Sequence, residues 1–289
     1  MSEGGSEHKR RASLTPRRDG PRLAAGRARA LGLPTRGTTN ANRLRRVDRW
    51  LLATQVPRLR DAVRPLVVDL GYGSSAVTTL ELVDRHCLAA VDAWKNMGLS
   101  VDAEVVLLGR TDAPGAAGEA EAARMLACFE GAGASWAAAS TDEQESEALF
   151  AARRLAYPAL ERLGPVLTED VCVPKAAVPE MLARIEATAA RTDVLIANIA
   201  HAGDGNLHPL LITPPGDTAA RERAQVAFTQ IMRDAVALGG TVTGEHGIGL
   251  LKREGLAHEQ APEVVAMQRA VKAALDPHGI LNPGKVLPE

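Results

Sequence analysis

From residue 66 onward, short apolar runs alternate with stretches in which apolar residues recur every three or four positions. The runs at 66–70 (LVVDL), 103–109, 134–140, 165–173 (PVLTEDVCV), 193–200 (DVLIANIA) and 207–213 (LHPLLIT) predict strands. The helical spacing predicts helices over 78–94, 116–132, 142–162, 177–190 and 217–238, the last closed by Gly239-Gly240. Residues 142–162 begin acidic and end basic, which suits the helix dipole. A weaker amphipathic stretch over 47–63, broken by Pro57, reads as a short helix. Strands at irregular intervals, mixed with helices and including one obvious hairpin, indicate an α+β fold with a largely antiparallel sheet.

Composition narrows the function classes. Aromatic residues make up 3% of the 289, so the core is built from Ala, Val and Leu, and stacking platforms for nucleic acid are not expected. The net charge of −1 hides an asymmetry. Residues 1–50 carry 13 Lys and Arg against four Asp and Glu, and the remainder carries the opposite imbalance. Residues 1–64 therefore read as a basic, disordered leader, and residues 65–289 as the folded domain. Three cysteines with no CxxC spacing indicate neither a disulfide framework nor a cysteine zinc site. With no apolar run long enough for a membrane span and no apolar segment of a secretory signal, a cytoplasmic protein is expected.

Candidate chemistry sits in three segments. In HAGDGNLH at 201–208, glycines and Pro209 argue against a helix. A type I′ turn at Asp204-Gly205 places His201 directly opposite His208, close enough for both imidazoles to reach one metal ion; the plain alternative is two polar residues at a hairpin mouth. In TGEHGIGLLK at 243–252, Glu245 is the candidate carboxylate ligand, and His246, its neighbour on an extended segment, points the other way toward a substrate. In LDPHGILNPGKVLP at 275–288, apolar residues among Pro and Gly describe a docking tail, with Asn282 and Lys285 as candidate contacts to a ligand or another domain.

These segments, together with TEDVCVP at 168–174, resemble the C-terminal half of the FAD-linked oxidases of the vanillyl-alcohol oxidase type, in particular the glycolate oxidase FAD-subunit and D-lactate dehydrogenase group. The resemblance spans roughly residues 78–288. It implies a ferredoxin-like cap domain, an antiparallel sheet covered by helices, with a C-terminal helical docking tail. It also implies oxidation of a small 2-hydroxy acid, of glycolate or D-lactate type, with FAD and a divalent metal, zinc or manganese, as cofactors. His201, His208 and Glu245 would hold the metal, His246 would be the base while the α-hydrogen leaves as hydride to the flavin, Arg153 would bind the substrate carboxylate, and Asn282 would lie near the flavin. The glycine-rich FAD-binding domain of such enzymes has no counterpart in residues 1–65, so the resemblance implies a separate FAD-binding chain or a homo-oligomer as partner, or a cap without independent catalysis. Two readings compete with this one: a mononuclear iron oxygenase site built from the same two His and one Glu, and a non-catalytic binding module.

Overall fold

The computed structural model describes residues 50–56, 79–98, 103–140 and 143–287. The strands are β1 (Trp50–Val56), β2 (Thr79–Asp84), β3 (Val105–Thr111), β4 (Trp136–Ser140), β5 (Val166–Thr168), β6 (Val171–Cys172), β7 (Leu195–His201) and β8 (Asn206–Ile212). The helices are α1 (Arg85–Lys95), α2 (Gly115–Gly131), α3 (Glu143–Glu161), α4 (Val178–Thr192), α5 (Thr218–Ala237), α6 (Arg253–Glu259) and α7 (Pro262–Leu275). All eight strands join one antiparallel sheet in the order β4-β1-β3-β2-β7-β8-β5, with β6 also paired to β8. The run β4-β1-β3-β2 is the strand order of a ferredoxin-like sheet, continued here by the later strands. Among the described residues no helix is long and apolar enough to cross a membrane.

Helices cover both faces. On one, Leu80, Leu82, Leu107, Leu207 and Leu211 pack against α2, α4 and α5, with Phe129 and Phe228 fully buried. On the other, Val83, Leu108, Ala197 and Leu210 pack against α1 and α3. Because successive strand side chains point to opposite faces, a strand covered on both sides is apolar at nearly every position and loses its alternation. That is why β2 escapes the period-based reading. The helix expected over 78–94 is in fact β2 followed by α1, and the junction is fixed by Asp84, whose side chain caps α1 by accepting from the Cys87 N–H at 3.0 Å.

Two further expectations need correction. Of the helix expected over 47–63, the described residues 50–56 are instead strand β1, paired with β3 and β4, so the sheet starts ahead of residue 65. The strand expected over 165–173 is two short pieces interrupted by Glu169 and Asp170, both fully buried, although the Glu169 N–H still donates to the Pro209 carbonyl of β8 at 2.8 Å. The strand expected over 66–70 and the leader through residue 49 lie outside the described residues.

The β7–β8 hairpin keeps its expected partners but not its turn. Residues 202–205 form a four-residue loop, with Asp204 and Gly205 N–H groups donating to the His201 carbonyl. The loop docks on the segment after β6, where Val173 N–H donates to the Gly205 carbonyl at 3.0 Å. Gly205 has φ +89°, and a Cβ there would lie 2.1 Å from the Val173 carbonyl oxygen. Gly205→Ala is expected to cost at least about 1–3 kcal/mol from the backbone strain alone. A urea titration checks this; an unchanged midpoint would show that the loop does not need its docked conformation.

Candidate active site

The site is built on the α1/α3 face of the sheet, at the ends of β2, β7 and β8. The observed register pairs His201 with Asn206 and Ile199 with His208, so the two histidines are offset diagonally by two positions rather than directly opposed. Two is the side-chain period of a strand, so the offset leaves both on the same face. Their ring centroids lie 5.2 Å apart with planes nearly perpendicular.

The segment 243–249 brings Glu245 and His246 onto these rings. It curls around one buried carboxylate, that of Asp170. Asp170 accepts the N–H groups of Gly244 (2.9 Å), Glu245 (3.1 Å) and His246 (2.9 Å), together with the Thr243 hydroxyl (2.8 Å). Thr243 in turn accepts the Gly247 N–H. Because successive N–H groups point inward at one anion, the chain here is curled, not extended, and neighbouring side chains are not thrown to opposite sides. Glu245 Oε1 lies 3.2 Å from His208 Nε2 and 3.5 Å from His201 Nε2, and His246 stacks on His208 with centroids 5.0 Å apart, its Nε2 3.9 Å from the same Glu245 oxygen. The expectation that His246 points away from Glu245 is thus corrected. Gly244 is packed so tightly on the Asn206 side-chain amide that a Cβ would lie 2.3 Å from its oxygen.

The surrounding charges are arranged by burial. Burial pushes the Asp170 carboxyl upward, but the His246 N–H, the Thr243 hydroxyl, the Lys252 charge and the Glu245 N–H outweigh it and bring its pKa down to about 2. Buried Lys252 donates to the carbonyls of Asp170 and Val242 and pairs with Glu169 at 2.7 Å, tying both ends of the curled segment to the β5–β6 break. Burial pushes the Glu169 carboxyl up to about 7 despite that pairing. Burial also lowers the pKa of His208, which favours a neutral ring, whereas a hydrogen bond to Glu81 raises that of His201.

The two other predicted residues lie apart from this cluster's centre. Arg153, on α3, engages Glu81 Oε2 through Nε at 2.9 Å, and Glu81 Oε1 lies 2.7 Å from His201 Nδ1. Asn282 sits in the tail at φ +48°, its side chain accepting from Lys285, and lines a groove with Thr243, Val271 and Lys272. Lys272 holds the tail by donating to the Leu281 carbonyl at 2.7 Å, while Asp276 accepts the N–H groups of Ile280 and Leu281.

Residues 49–286 match the family described as FAD linked oxidases, C-terminal domain. The chain belongs to this family. It is 39% identical over 228 residues to glycolate oxidase subunit GlcD of Bacillus subtilis, covering 78% of this chain and 48% of that protein. It is 30% identical over 270 residues to a probable mitochondrial D-lactate dehydrogenase of Danio rerio, covering 92% and 53%. The chain therefore spans about half the length of these curated relatives. In fold it is similar to 4-ethylphenol oxidase from Gulosibacter chungangensis, with a TM-score of 0.60 at 14% identity over 83% of this chain and 54% of that one. It is likewise similar to p-cresol methylhydroxylase, with a TM-score of 0.59 at 12% identity over 82% and 52%.

For this FAD-linked oxidase C-terminal domain, sequence reading missed Glu81, Asp170 and Lys252. Adjacent acids inside an otherwise apolar strand pattern were the available signal for Asp170. The depressed Asp170 pKa carries a stability prediction. A carboxyl with a lowered folded-state pKa stabilises fully above its unfolded pKa, near 4, and the contribution is lost as pH falls toward about 2, amounting to about 2 kcal/mol. Comparing urea midpoints of the parent and Asp170→Asn between pH 7 and pH 2.5 should show a gap that narrows through this window. A gap constant with pH would mean that the carboxylate charge is not what holds the segment.

Proposed function

We propose that this chain is the substrate- and metal-binding half of an FAD-linked oxidoreductase that converts a small 2-hydroxy acid, of glycolate or D-lactate type, to the 2-oxo acid. The observation that carries the reading is the convergence of His201 Nε2, His208 Nε2 and a Glu245 carboxylate oxygen beside the stacked His246 ring.

The donor set suits a divalent metal such as zinc or manganese. Ligands about 2.1 Å from a tetrahedral ion lie about 3.4 Å from one another, and the two contacts from Glu245 to the imidazoles are 3.2 and 3.5 Å. Two imidazoles and one carboxylate leave positions open for a substrate. A metal held there supplies Lewis acidity toward the substrate hydroxyl and carboxylate oxygens. The Arg153 guanidinium binds the carboxylate end of the substrate. His246, partly exposed beside the ligands, takes the hydroxyl proton on a ring nitrogen as general base. FAD, when bound, would supply the two-electron acceptor for the α-hydrogen, and Asn282 would approach it from the tail.

A second element of the proposal concerns the tail. Met267, Val271 and Leu275 on α7, with Ile280 and Leu281 of the tail, are exposed apolar residues, and of α7 only Val265 is buried. Such a surface favours the reading that this face packs against an FAD-binding half.

Metal analysis and absorbance spectra of the purified chain and three variants test the proposal. The parent chain is expected to hold one divalent metal, His208→Ala and Glu245→Ala to lose it, and His246→Ala to keep it while abolishing oxidation in a flavin-complemented assay. Metal affinity should fall as pH drops below neutrality, because the imidazoles must shed protons to bind, His201 most of all. A parent chain without metal, or metal loss in His246→Ala equal to that in Glu245→Ala, would sink the assignment.

A further inference from the structure

Glu81 is the residue at the centre of the site that the metal-and-base reading leaves without a role. It is 7% exposed, lies on β2, and in the antiparallel β2–β7 register is the direct partner of His201. A carboxylate buried on a sheet face is held there only when its oxygens are satisfied. Both are. Oε1 lies 2.7 Å from His201 Nδ1, and Oε2 accepts from Arg153 Nε at 2.9 Å.

The geometry decides which ring nitrogen of His201 carries the proton. An ionised carboxylate only accepts, so Nδ1 must be the donor, and the neutral ring then has its lone pair on Nε2. Nε2 is the atom that faces Glu245 Oε1 at 3.5 Å. His208 offers the contrast. Its Nδ1 lies 3.6 Å from Asp170, beyond hydrogen-bond reach, and is a buried nitrogen with no partner, so that ring is held by burial and by stacking on His246. Of the two histidines, only His201 has a carboxylate within hydrogen-bond reach of its Nδ1. The same carboxylate, through its second oxygen, fixes where the Arg153 guanidinium sits on α3.

We propose that Glu81 is the positioning residue of this site: one buried carboxylate selects the Nδ1–H tautomer and plane of His201 and orients Arg153, coupling the metal-binding edge to the carboxylate-binding edge. This rests on the metal reading above. Partners of this kind on the far nitrogen of a ligating histidine are worth about 10–100-fold in metal affinity.

The test uses the full chain in two states. In the metal-free state, nitrogen-detected magnetic resonance of the histidine rings at a pH where they are neutral reports the tautomer. The parent is expected to show His201 as Nδ1–H, and Glu81→Ala to shift it to the Nε2–H form or a mixture. Zinc and manganese titrations by calorimetry should then show an affinity lower by about 10–100-fold in Glu81→Ala. Glu81→Gln keeps the volume and one accepting oxygen, so it can serve His201 or Arg153 but not both; a loss between the parent and the alanine variant is expected, and this variant decides the matter if Glu81→Ala does not fold. Retention of the Nδ1–H tautomer in folded Glu81→Ala, or unchanged metal affinity in either variant beside a metal-binding parent, overturns the role given to Glu81. If the parent binds neither metal, the metal reading fails by itself, and the tautomer measurement still decides the inference: Nε2–H in the parent overturns it, and Nδ1–H lost in Glu81→Ala upholds it.

Discussion

The buried carboxylate of Asp170 is the constraint on which the site depends. A glycine-rich segment, from Thr243 to Gly249, has no helix or strand to satisfy its backbone N–H groups, and leaving several of them unpaired would cost about 1–3 kcal/mol each. Asp170 absorbs three of them and a hydroxyl at once, and Lys252 closes the same segment from its far end by bonding to Val242 and Asp170 carbonyls. Glu259 completes the clamp by accepting the Val242 N–H and the Thr241 hydroxyl. An irregular loop is thereby held as firmly as a strand, and Glu245 and His246 inherit that rigidity.

The sheet supplies the other half of the precision. His201 and His208 stand on neighbouring strands of a ladder whose face assignment is enforced by burial on both sides, so neither can turn away without moving apolar neighbours out of the core. Glu81 joins the same face from β2 because its register opposite His201 is part of that ladder. The candidate groups thus come from two kinds of element, interior strands of the sheet and a loop held by charge.

Much of this was legible in the sequence, and the misses share a cause. Helices with one apolar stripe and one polar face, such as α4 and α5, were placed within a residue or two, since their period survives partial burial. β2 was read as helix because Leu80, Glu81, Leu82 and Val83 are all buried and show no clean alternation. The hairpin was recognised from its glycines, but the turn type was not, because docking of Gly205 on Val173 selects a longer loop than the Asp-Gly pair prefers in isolation. His201, His208 and Glu245 could be grouped in advance because an error of two positions in register does not change the face. Glu81 could not, because what distinguishes it is burial beside partners 72 to 120 residues away, and no local pattern encodes that; Asp170 showed only as one of two adjacent acids in an apolar run.

The distribution of charge leaves one carboxylate at the site without a permanent cationic partner among the described residues. Asp170 spends its negative charge on backbone N–H groups and Lys252, and Glu81 spends its charge on Arg153 and His201. Glu245 is different: it is half exposed, and its ion-pair neighbours are three imidazoles, none of them a permanent cation. On the proposed reading, two carboxylates neutralised by the protein and one that is not would give a pocket edge that attracts a single dication without accumulating excess negative charge, which would otherwise repel the carboxylate of a 2-hydroxy acid. A site meant only to hold metal would gain from more uncompensated acids. The internal neutralisation of Asp170 and Glu81 is what would make this one compatible with an anionic substrate beside an ion.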